Sequence, residues 1–363
     1  MRPKIIAFYL PQFHTIPEND KWWGCGFTDW VNVKKAKPLY KGHEQPKIPL
    51  NNNYYDLSKP ETLRWQAALA NKYSVYGMCF YHYWFNGKLL LEKPAELLLT
   101  HADIPMNFCF SWANEPWART WDGKAHQIIM PQFYGDEHDW KLHFDYLLPF
   151  FKDNRYIKEN GCPMFLIYKS QSIPNAKRMM VLWNTLAKEN GFHGMHFVET
   201  LRNGLVDERG LPFDARVEFE PVRTNLQQSA GSLYYKRIRR RVIKLFNMIF
   251  QTSFMLNKPF DFDVVAINSI KLKSPVGTYG GVFVGWDNTP RRGVASTIVL
   301  PPSTSQFEIY LREKIIQTQD VYKTSYVFVN AWNEWAEGAI LEPDEKNKYS
   351  YLEVVKKVVE EFE

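Results

Sequence analysis

Short apolar runs recur along the chain and alternate with longer segments in which the apolar residues have helical spacing. One helical segment begins at Pro60, because proline suits a first helical turn, and ends near Lys72. The other predicted helices cover 89–100, 139–151, 175–190, 305–318 and 351–363. The apolar runs are rich in β-branched and aromatic residues and predict eight strands, at 4–10, 76–81, 107–112, 164–168, 195–199, 215–219, 281–284 and from 326 onward.

Eight strands separated by helices predict an α/β fold, a single (β/α)₈ TIM barrel. Such a barrel typically needs about 250 residues, whereas this chain has 363. The additional residues have two places in the pattern. One is the set of long strand-end loops, above all the loop after the first strand, and the other is an insertion at about 223–275 with a basic helical region before strand 7. Neither a linker nor a second set of core segments is evident, so the pattern predicts one domain over 1–363.

Composition adds an aromatic bias to this pattern, with 13 tryptophans and 20 tyrosines. Such rings bury well and also stack on the apolar faces of sugars. The net charge of +6 is mild and concentrated in one segment, so no nucleic-acid partner is expected. The four cysteines form no CxxC pair, which favours a reducing compartment. A cytoplasmic location is predicted, because no signal peptide and no apolar run long enough to cross a membrane is visible.

Polar, charged and aromatic side chains follow nearly every predicted strand. In a (β/α)₈ barrel these carboxyl ends meet at one face, where active sites lie. Sugars require hydrogen-bonding groups for their hydroxyls and flat apolar surfaces for their C–H faces. For any single residue, an ordinary role in packing or hydrogen bonding is the alternative. The predicted carbohydrate-binding residues are Tyr9, Gln12, His14, Trp30, Tyr81, His82, Trp84, Trp112, Asn114, Glu115, Trp286, Asp287, Trp332 and Asn333.

The stretch YVFVNAWNEWAEGAILEPD, which begins at Tyr326, contains the strongest candidates for chemistry. A strand runs into Glu334 and Glu337, and two tryptophans, Trp332 and Trp335, accompany them. An extended chain would place the two carboxylates on opposite faces, whereas a helical turn would place them on one. The pair is either a catalytic site lined with indole rings or a helix start with glutamates at its positive end. The tryptophans and the preceding strand favour the catalytic interpretation.

Motifs for several other chemistries are missing from the sequence. It contains no GxxxxGK[ST] phosphate loop, no GxGxxG after a strand, no HExxH zinc motif and no GxSxG nucleophile elbow. The nine histidines are not at metal-ligand spacing. Neither a metal nor a cofactor is therefore expected.

Several long motifs resemble one known group of proteins. NEWAEGAILEP resembles the NEWHEG-type motif of the glycoside hydrolase 99 family. The stretches AFYLPQFHTIPEND, WWGCGFTDW, FYHYWFNG, ANEPWARTWDG and VGWDNTPRR resemble the 99-like WbsX-type proteins, which are associated with the biosynthesis of surface polysaccharide and of the O-antigen of lipopolysaccharide. Because these motifs are spread over nearly the whole chain, the chain is identified as a member of the WbsX-type group.

The resemblance implies a (β/α)₈ barrel that acts on glycosidic bonds of an oligosaccharide or polysaccharide, without a cofactor and with retention of configuration. Carried over by position, Glu334 is the base that takes the proton of the sugar 2-hydroxyl, which gives a 1,2-anhydro intermediate, and Glu337 is the acid/base. Ala336 stands where the hydrolases have a histidine, and the ends of the second and third strands follow the WbsX-type proteins. The resemblance therefore does not imply specificity for α-mannosides.

Three alternatives remain open. Glu115 could be the acid, because Asn114-Glu115-Pro116 resembles the acid/base motif of other retaining barrel glycosidases. The protein could be a glycosyltransferase that builds surface polysaccharide from an activated sugar, which the missing signal peptide favours. It could also be a non-catalytic glycan-binding barrel, against which the intact glutamate pair argues.

The segment 236–250, KRIRRRVIKLFNMIF, combines basic residues with an apolar face at helical spacing. One interpretation is a peripheral helix that makes weak contact with an anionic membrane surface. The favoured interpretation is an inserted helix that packs on the barrel with its basic side in water.

Overall fold

The computed structural model describes residues 2–118, 127–202, 206–224, 241–243, 245, 246, 249 and 259–363. Eight parallel strands within these residues form a closed barrel. The first strand, β1 (Lys4–Tyr9), pairs with both β2 (Val75–Phe85) and β8 (Tyr326–Asn330), which closes the ring. Each of the other five strands pairs with the strand before it and the strand after it in the chain. These five are β3 (Phe108–Trp112), β4 (Cys162–Ile167), β5 (His196–Leu201), β6 (Ala215–Glu218) and β7 (Thr278–Phe283).

Helices occupy the connections between the strands. In the described part of the chain they are α1 (Pro17–Trp23), α2 (Asp29–Lys35), α3 (Pro60–Lys72), α4 (Lys93–Thr100), α5 (Glu137–Lys152), α6 (Ala176–Glu189), α7 (Phe262–Lys271), α8 (Thr289–Arg292), α9 (Thr304–Asp320) and α10 (Ser350–Glu360). Short antiparallel pairs of segments lie next to the barrel strands. Lys88–Leu90 pairs with β2 and Lys158–Glu159 with β4, while Trp117–Ala118 pairs with Ile128–Met130, Trp286–Asp287 with Ile298–Val299, and Asn333–Glu334 with Ala339–Ile340.

Side chains alternate between the inside of the barrel and the helices around it. Phe8 lies inside, with its ring centroid 5.0 Å from that of Phe219 and 5.4 Å from that of Phe328. The next residue, Tyr9, points outward, and its hydroxyl donates a hydrogen bond to Gln66 of α3 at 2.7 Å. The same alternation decides which residues at the strand ends reach the mouth of the barrel.

The predicted barrel is confirmed, since each of the eight predicted strands overlaps one of β1–β8. Two regions hold more structure than the sequence pattern predicts. The long loop after β1 contains α1 and α2, and the predicted irregular region before β7 contains α7. In α7 the side chain of Asp261 accepts a hydrogen bond from the backbone of Val264, a capping contact that stabilises the first turn.

Most of the basic segment 236–250 lies outside the described residues. Three of its apolar side chains that are described, Val242, Leu245 and Ile249, are exposed. The two interpretations of this segment stay predictions, because most of its residues are not described. Across the described ranges, none of the helices combines the length and the apolar character that a membrane span requires.

Candidate active site

A tight hairpin after β8 carries the glutamate pair. Asn333–Glu334 pairs with Ala339–Ile340, and a 3₁₀ turn at Trp335–Glu337 joins the two strands. Gly338 ends this turn with a φ of 62°, and an added Cβ would lie 3.0 Å from that of Asp287, so both the conformation and the space favour glycine. The chain turns rather than remaining extended, which is the one of the two geometries considered that brings both carboxylates to one side.

One arginine joins the two carboxylates. Arg291 in α8 donates from Nη1 to Glu337 Oε1 at 2.8 Å and from Nη2 to Glu334 Oε2 at 3.3 Å. The same Nη2 donates to Asp29 Oδ2 at 2.8 Å. Asp29 follows β1, Arg291 follows β7 and the glutamates follow β8, so three neighbouring strands build this group at their carboxyl ends. We call Asp29, Arg291, Glu334 and Glu337 the carboxylate cluster.

Asp29 is held in place by its own helix and by the end of β1. Its backbone N–H donates to the carbonyl oxygen of Gln12 at 3.0 Å, and Asn32 donates from Nδ2 to its Oδ1 at 2.9 Å. The Asp29 side chain is fully buried. Three carboxyl groups therefore share one guanidinium, and like charges this close favour retention of a proton by at least one of them.

Burial raises the pKa of both glutamates. Loss of hydration raises the pKa of Glu334 to about 8, and Arg291 opposes this rise while Glu337 and Asp29 add to it. Burial also raises the pKa of Glu337 against the same guanidinium. Glu337 is the more accessible of the two, with 22% of its side chain exposed against 7% for Glu334. Such a pair titrates as a unit and retains a proton near neutral pH.

Three tyrosines on the inner face of the barrel lie within electrostatic range of the cluster. Tyr81 and Tyr83 share the inward face of β2, and Tyr168 follows β4 with its ring against Phe219. Burial raises the pKa of all three hydroxyls, and the charge of Glu334 raises each one further. All three hydroxyls thus lie close enough to Glu334 for a direct electrostatic effect. Tyr81 is one of the predicted binding residues.

The two indoles of the motif do not line the site, so the expected indole-lined hollow is wrong. Trp332 and Trp335 are buried, and their Nε1 groups donate to Glu342 at 2.8 Å and 2.7 Å. Glu342 also accepts hydrogen bonds from Tyr55 and Gln66, each at 2.7 Å. A buried indole N–H needs an acceptor, and this carboxylate provides one for both rings beneath the hairpin.

Four predicted binding residues point away from the mouth, because strand alternation turns them outward. His82 approaches His143 of α5 with their Nε2 atoms 2.8 Å apart, and Trp84 stacks on the same imidazole at 4.5 Å. Trp112 contacts the His143 ring edge-on at 5.0 Å. Tyr9 is the fourth and contacts α3. These side chains belong to the packing between the barrel and its helices.

Three further predicted residues hold loops in place. Asn114 exchanges two hydrogen bonds with the backbone of Lys169, at 2.9 Å and 2.8 Å. Asn333 does the same with the backbone of Leu10, at 2.7 Å and 3.0 Å. Asp287 accepts from the imidazole at position 43 and the amide at position 45, at 2.8 Å and 2.6 Å. Each contact fixes a strand end around the mouth rather than offering a free group to it.

The remaining five predicted residues differ in how far they reach the mouth. Trp30 is buried behind the hairpin, where its Nε1 donates to a backbone carbonyl at 2.8 Å. Gln12 and His14 are buried after β1, and Trp286 after β7 is half-buried. Glu115 after β3 is partly exposed and contacts two cations, Nζ of a lysine at 3.0 Å and Nη1 of an arginine at 3.3 Å. It lies three strands around the barrel from the glutamate pair.

Three residues of the site escaped the sequence reasoning: Asp29, Arg291 and Glu342. Asp29 and Arg291 stand in the motifs WWGCGFTDW and VGWDNTPRR, in loops that follow β1 and β7. Glu342 stands in the motif NEWAEGAILEP, but its role was not visible because its four donors come from three separate parts of the chain. Tyr83 lies at the end of the second strand and shares the face of Tyr81, two residues before it.

Comparison with known proteins gives a consistent result. The family model described as glycosyltransferase WbsX matches residues 5–355. Protein WxcX of Xanthomonas campestris pv. campestris is 34% identical over 365 residues, which cover 98% of this chain and 49% of WxcX. The chain thus spans about half the length of the curated relatives that it matches.

Solved structures share the fold. A GH99 endo-alpha-mannosidase from Bacteroides thetaiotaomicron, in complex with BIS-TRIS-propane, superposes with a TM-score of 0.58 at 15% identity, covering 99% of this chain and 97% of that one. A glycoside hydrolase-like protein superposes with a TM-score of 0.61 at 12% identity, covering 99% of this chain and 94% of that one. At these identities the likeness establishes the (β/α)₈ architecture.

Proposed function

The chain belongs to the glycosyltransferase WbsX family, and on that premise we propose that it is an enzyme that acts on glycosidic bonds through Glu334 and Glu337. One observation carries the proposal: Arg291 joins both carboxylates at the carboxyl end of the barrel, where burial raises their pKa values. Catalysis at a glycosidic bond by two carboxyl groups requires one protonated and one ionised member near neutral pH. The substrate class is an oligosaccharide or polysaccharide.

The chemical steps follow from the resemblance to the hydrolase motif. Glu334 takes the proton of the sugar 2-hydroxyl while O2 attacks C1, and Glu337 gives its proton to the departing glycosidic oxygen. The acceptor hydroxyl then attacks C1 and passes its proton to Glu337, and O2 regains a proton from Glu334 as the three-membered ring opens. Two inversions at C1 retain the configuration.

Burial favours the opposite position of the shared proton before substrate binds. Glu334 is the more deeply buried and the farther from Arg291, so we infer that it holds the proton in the free site. The base role therefore requires that the proton passes to Glu337 when the sugar arrives. A 2-hydroxyl against Glu334 and a glycosidic oxygen against Glu337 would favour this transfer, because each carboxyl group then has the partner that suits its new form.

Hydrolysis and transfer differ only in the acceptor of the second step, which is water in one and a sugar hydroxyl in the other. The description of the family supports transfer, whereas the motif resemblance supports hydrolysis. Both reactions use the same carboxyl pair.

The test is to incubate the protein with defined α-linked oligosaccharides, with and without nucleotide sugars. Glu337→Gln should abolish turnover and preserve the fold, because its partly exposed side chain carries little packing. Glu313→Gln, a change at an exposed glutamate of α9, is the matched control and should retain activity. Turnover that survives Glu337→Gln would overturn the proposal. Binding of a glycan by the wild type with no turnover of any substrate would favour a non-catalytic glycan-binding barrel.

Glu115 as the acid is the competing assignment within this function. Its contacts with two cations, away from the glutamate pair, make it a weaker candidate than Glu337. Loss of turnover in Glu115→Gln with full activity in Glu337→Gln would reverse the assignment.

A further inference from the structure

A second charged group lies at the mouth of the barrel, apart from the carboxylate cluster. It consists of Glu115, Lys169 and Arg202, which follow β3, β4 and β5. Since these three strands are neighbours in the barrel, their carboxyl ends bring the side chains together. We call these three residues the Arg202 cluster.

The Arg202 cluster has an excess of positive charge. Lys169 Nζ lies 3.0 Å and Arg202 Nη1 3.3 Å from the same oxygen of Glu115, Oε1. One carboxylate thus serves two cations, which leaves a net charge of about +1 by simple counting. The side chains remain accessible, with 43% of Lys169 and 23% of Arg202 exposed. The Arg202 Nε has no hydrogen-bond acceptor in the described residues.

Tyr168 connects this cluster to the glutamate pair. The Arg202 guanidinium lies over the Tyr168 ring, with its carbon 4.0 Å from the ring centroid, which fixes the orientation of its donors. The charges of Glu115, Glu334 and Glu337 all affect the Tyr168 hydroxyl. The Tyr168 side chain therefore contacts the Arg202 cluster and is within electrostatic range of the glutamate pair.

We propose that the Arg202 cluster binds a negatively charged group of the substrate, either the carboxylate of a uronic acid residue or the phosphate of an activated sugar. This inference rests on the proposed function and adds the substrate class. Planar guanidinium groups bind such oxyanions through paired N–H donors, and an ammonium group beside them adds charge. A neutral sugar would leave the excess charge of this cluster unused.

Binding to small probes tests the proposal without turnover. Isothermal titration at constant ionic strength would compare methyl α-D-glucuronide, α-D-glucose 1-phosphate and the neutral methyl α-D-glucoside. The wild type should bind at least one anionic probe more tightly than the neutral one, and Arg202→Met should weaken that binding about tenfold or more. The anionic probe whose affinity falls in Arg202→Met shows whether the substrate group is a uronic acid carboxylate or a sugar phosphate. Arg178→Met, at an exposed arginine paired with a single glutamate, is the matched control and should bind as the wild type does.

A second variant separates charge recognition from a structural role. Glu115→Gln removes the only carboxylate of the Arg202 cluster, so it should tighten binding of the anionic probe, whereas a purely structural role would weaken or not affect it. The proposal is overturned if the wild type binds neither anion in preference to the neutral glucoside, or if Arg202→Met binds both anions unchanged. Turnover of an acidic glycan at equal rates by wild type and Arg202→Met would overturn this inference alone. Anion binding without any turnover would overturn only the proposed function.

Discussion

Replacing Arg291 with methionine removes the cation that three buried carboxyl groups share. Its guanidinium lies 2.8 Å from Asp29 and from Glu337 and 3.3 Å from Glu334. Without it, these groups repel one another in a site where burial weakens screening by water. Methionine keeps much of the length of the side chain, so the variant mainly loses charge and hydrogen bonds.

The expected loss of stability is large for a single substitution. Removing one partner of a buried ion pair costs about 3–5 kcal/mol. With an unfolding entropy of about 2.1 cal/mol/K per residue over 363 residues, this corresponds to a fall in Tm of roughly 4–7 °C.

The loss also depends on pH in a defined direction. Arg291 lowers the pKa of both glutamates against the effect of burial, so both values rise further in the variant. A carboxyl group whose folded-state pKa exceeds the unfolded one stabilises the fold below the unfolded pKa and loses this contribution as pH rises through the folded pKa. The deficit in Tm should therefore be larger at about pH 8 than at about pH 5.

Thermal unfolding, followed by tryptophan fluorescence at both pH values, measures this effect. Arg292→Met is the matched control, because it removes the same charge from the adjacent, exposed position. Arg291→Lys keeps the charge but loses the planar fork, so its deficit should be intermediate. An equal deficit at both pH values, or an equal deficit in Arg292→Met, would refute the reasoning.

Three further predictions concern the surroundings of the pair. The pH–rate profile should be bell-shaped, with its alkaline limb near the Glu334 pKa of about 8, because activity needs one proton on the glutamate pair. A profile without an ionisation above the ordinary glutamate range would contradict this prediction. Glu342→Gln should lower both Tm and kcat, because the amide N–H groups of the introduced glutamine would face the donors of buried side chains. The expected loss in the free energy of unfolding is about 1–3 kcal/mol, and an unchanged Tm would contradict this prediction. Tyr83→Phe should lower kcat about tenfold at constant Tm, since the charge of Glu334 acts on its hydroxyl. Tyr40→Phe, at a half-buried tyrosine in the loop after β1, is its control, and equal effects of both would exclude a specific role.

The barrel was predictable because its signals are local. The strand β8 is a run of β-branched and aromatic residues, and α3 begins at a proline in its first turn, so the predicted and observed bounds, 60–72, coincide. By contrast, α1 and α2 have only seven residues each and lie in a loop rich in glycine and proline, where a helical period has too few repeats to be visible.

The glutamate pair was also visible in sequence, but its surroundings were not. The prediction treated all strand-end residues alike, whereas the period of two sends Tyr81 and Tyr83 inward and His82 and Trp84 outward. That distinction depends on which face of β2 meets the helices, and the aromatic residues on both faces conceal it. Arg291 meets the pair only through the tertiary fold, because it lies 43 and 46 positions away along the chain.

The burial of the motif indoles excludes them as the apolar surface for the sugar that we propose as substrate. Trp332 and Trp335 donate to Glu342 and fix the hairpin from below, so they cannot also present a face to a ligand. The half-buried Trp117 lies beyond the inward face of β2, with its ring centroid 5.1 Å from that of Tyr83. Because the charge of Glu334 acts on the Tyr83 hydroxyl, we propose that Trp117 offers an apolar face to a sugar held by the glutamates. The tryptophans that made the motif conspicuous instead fix the hairpin that carries the carboxyl groups.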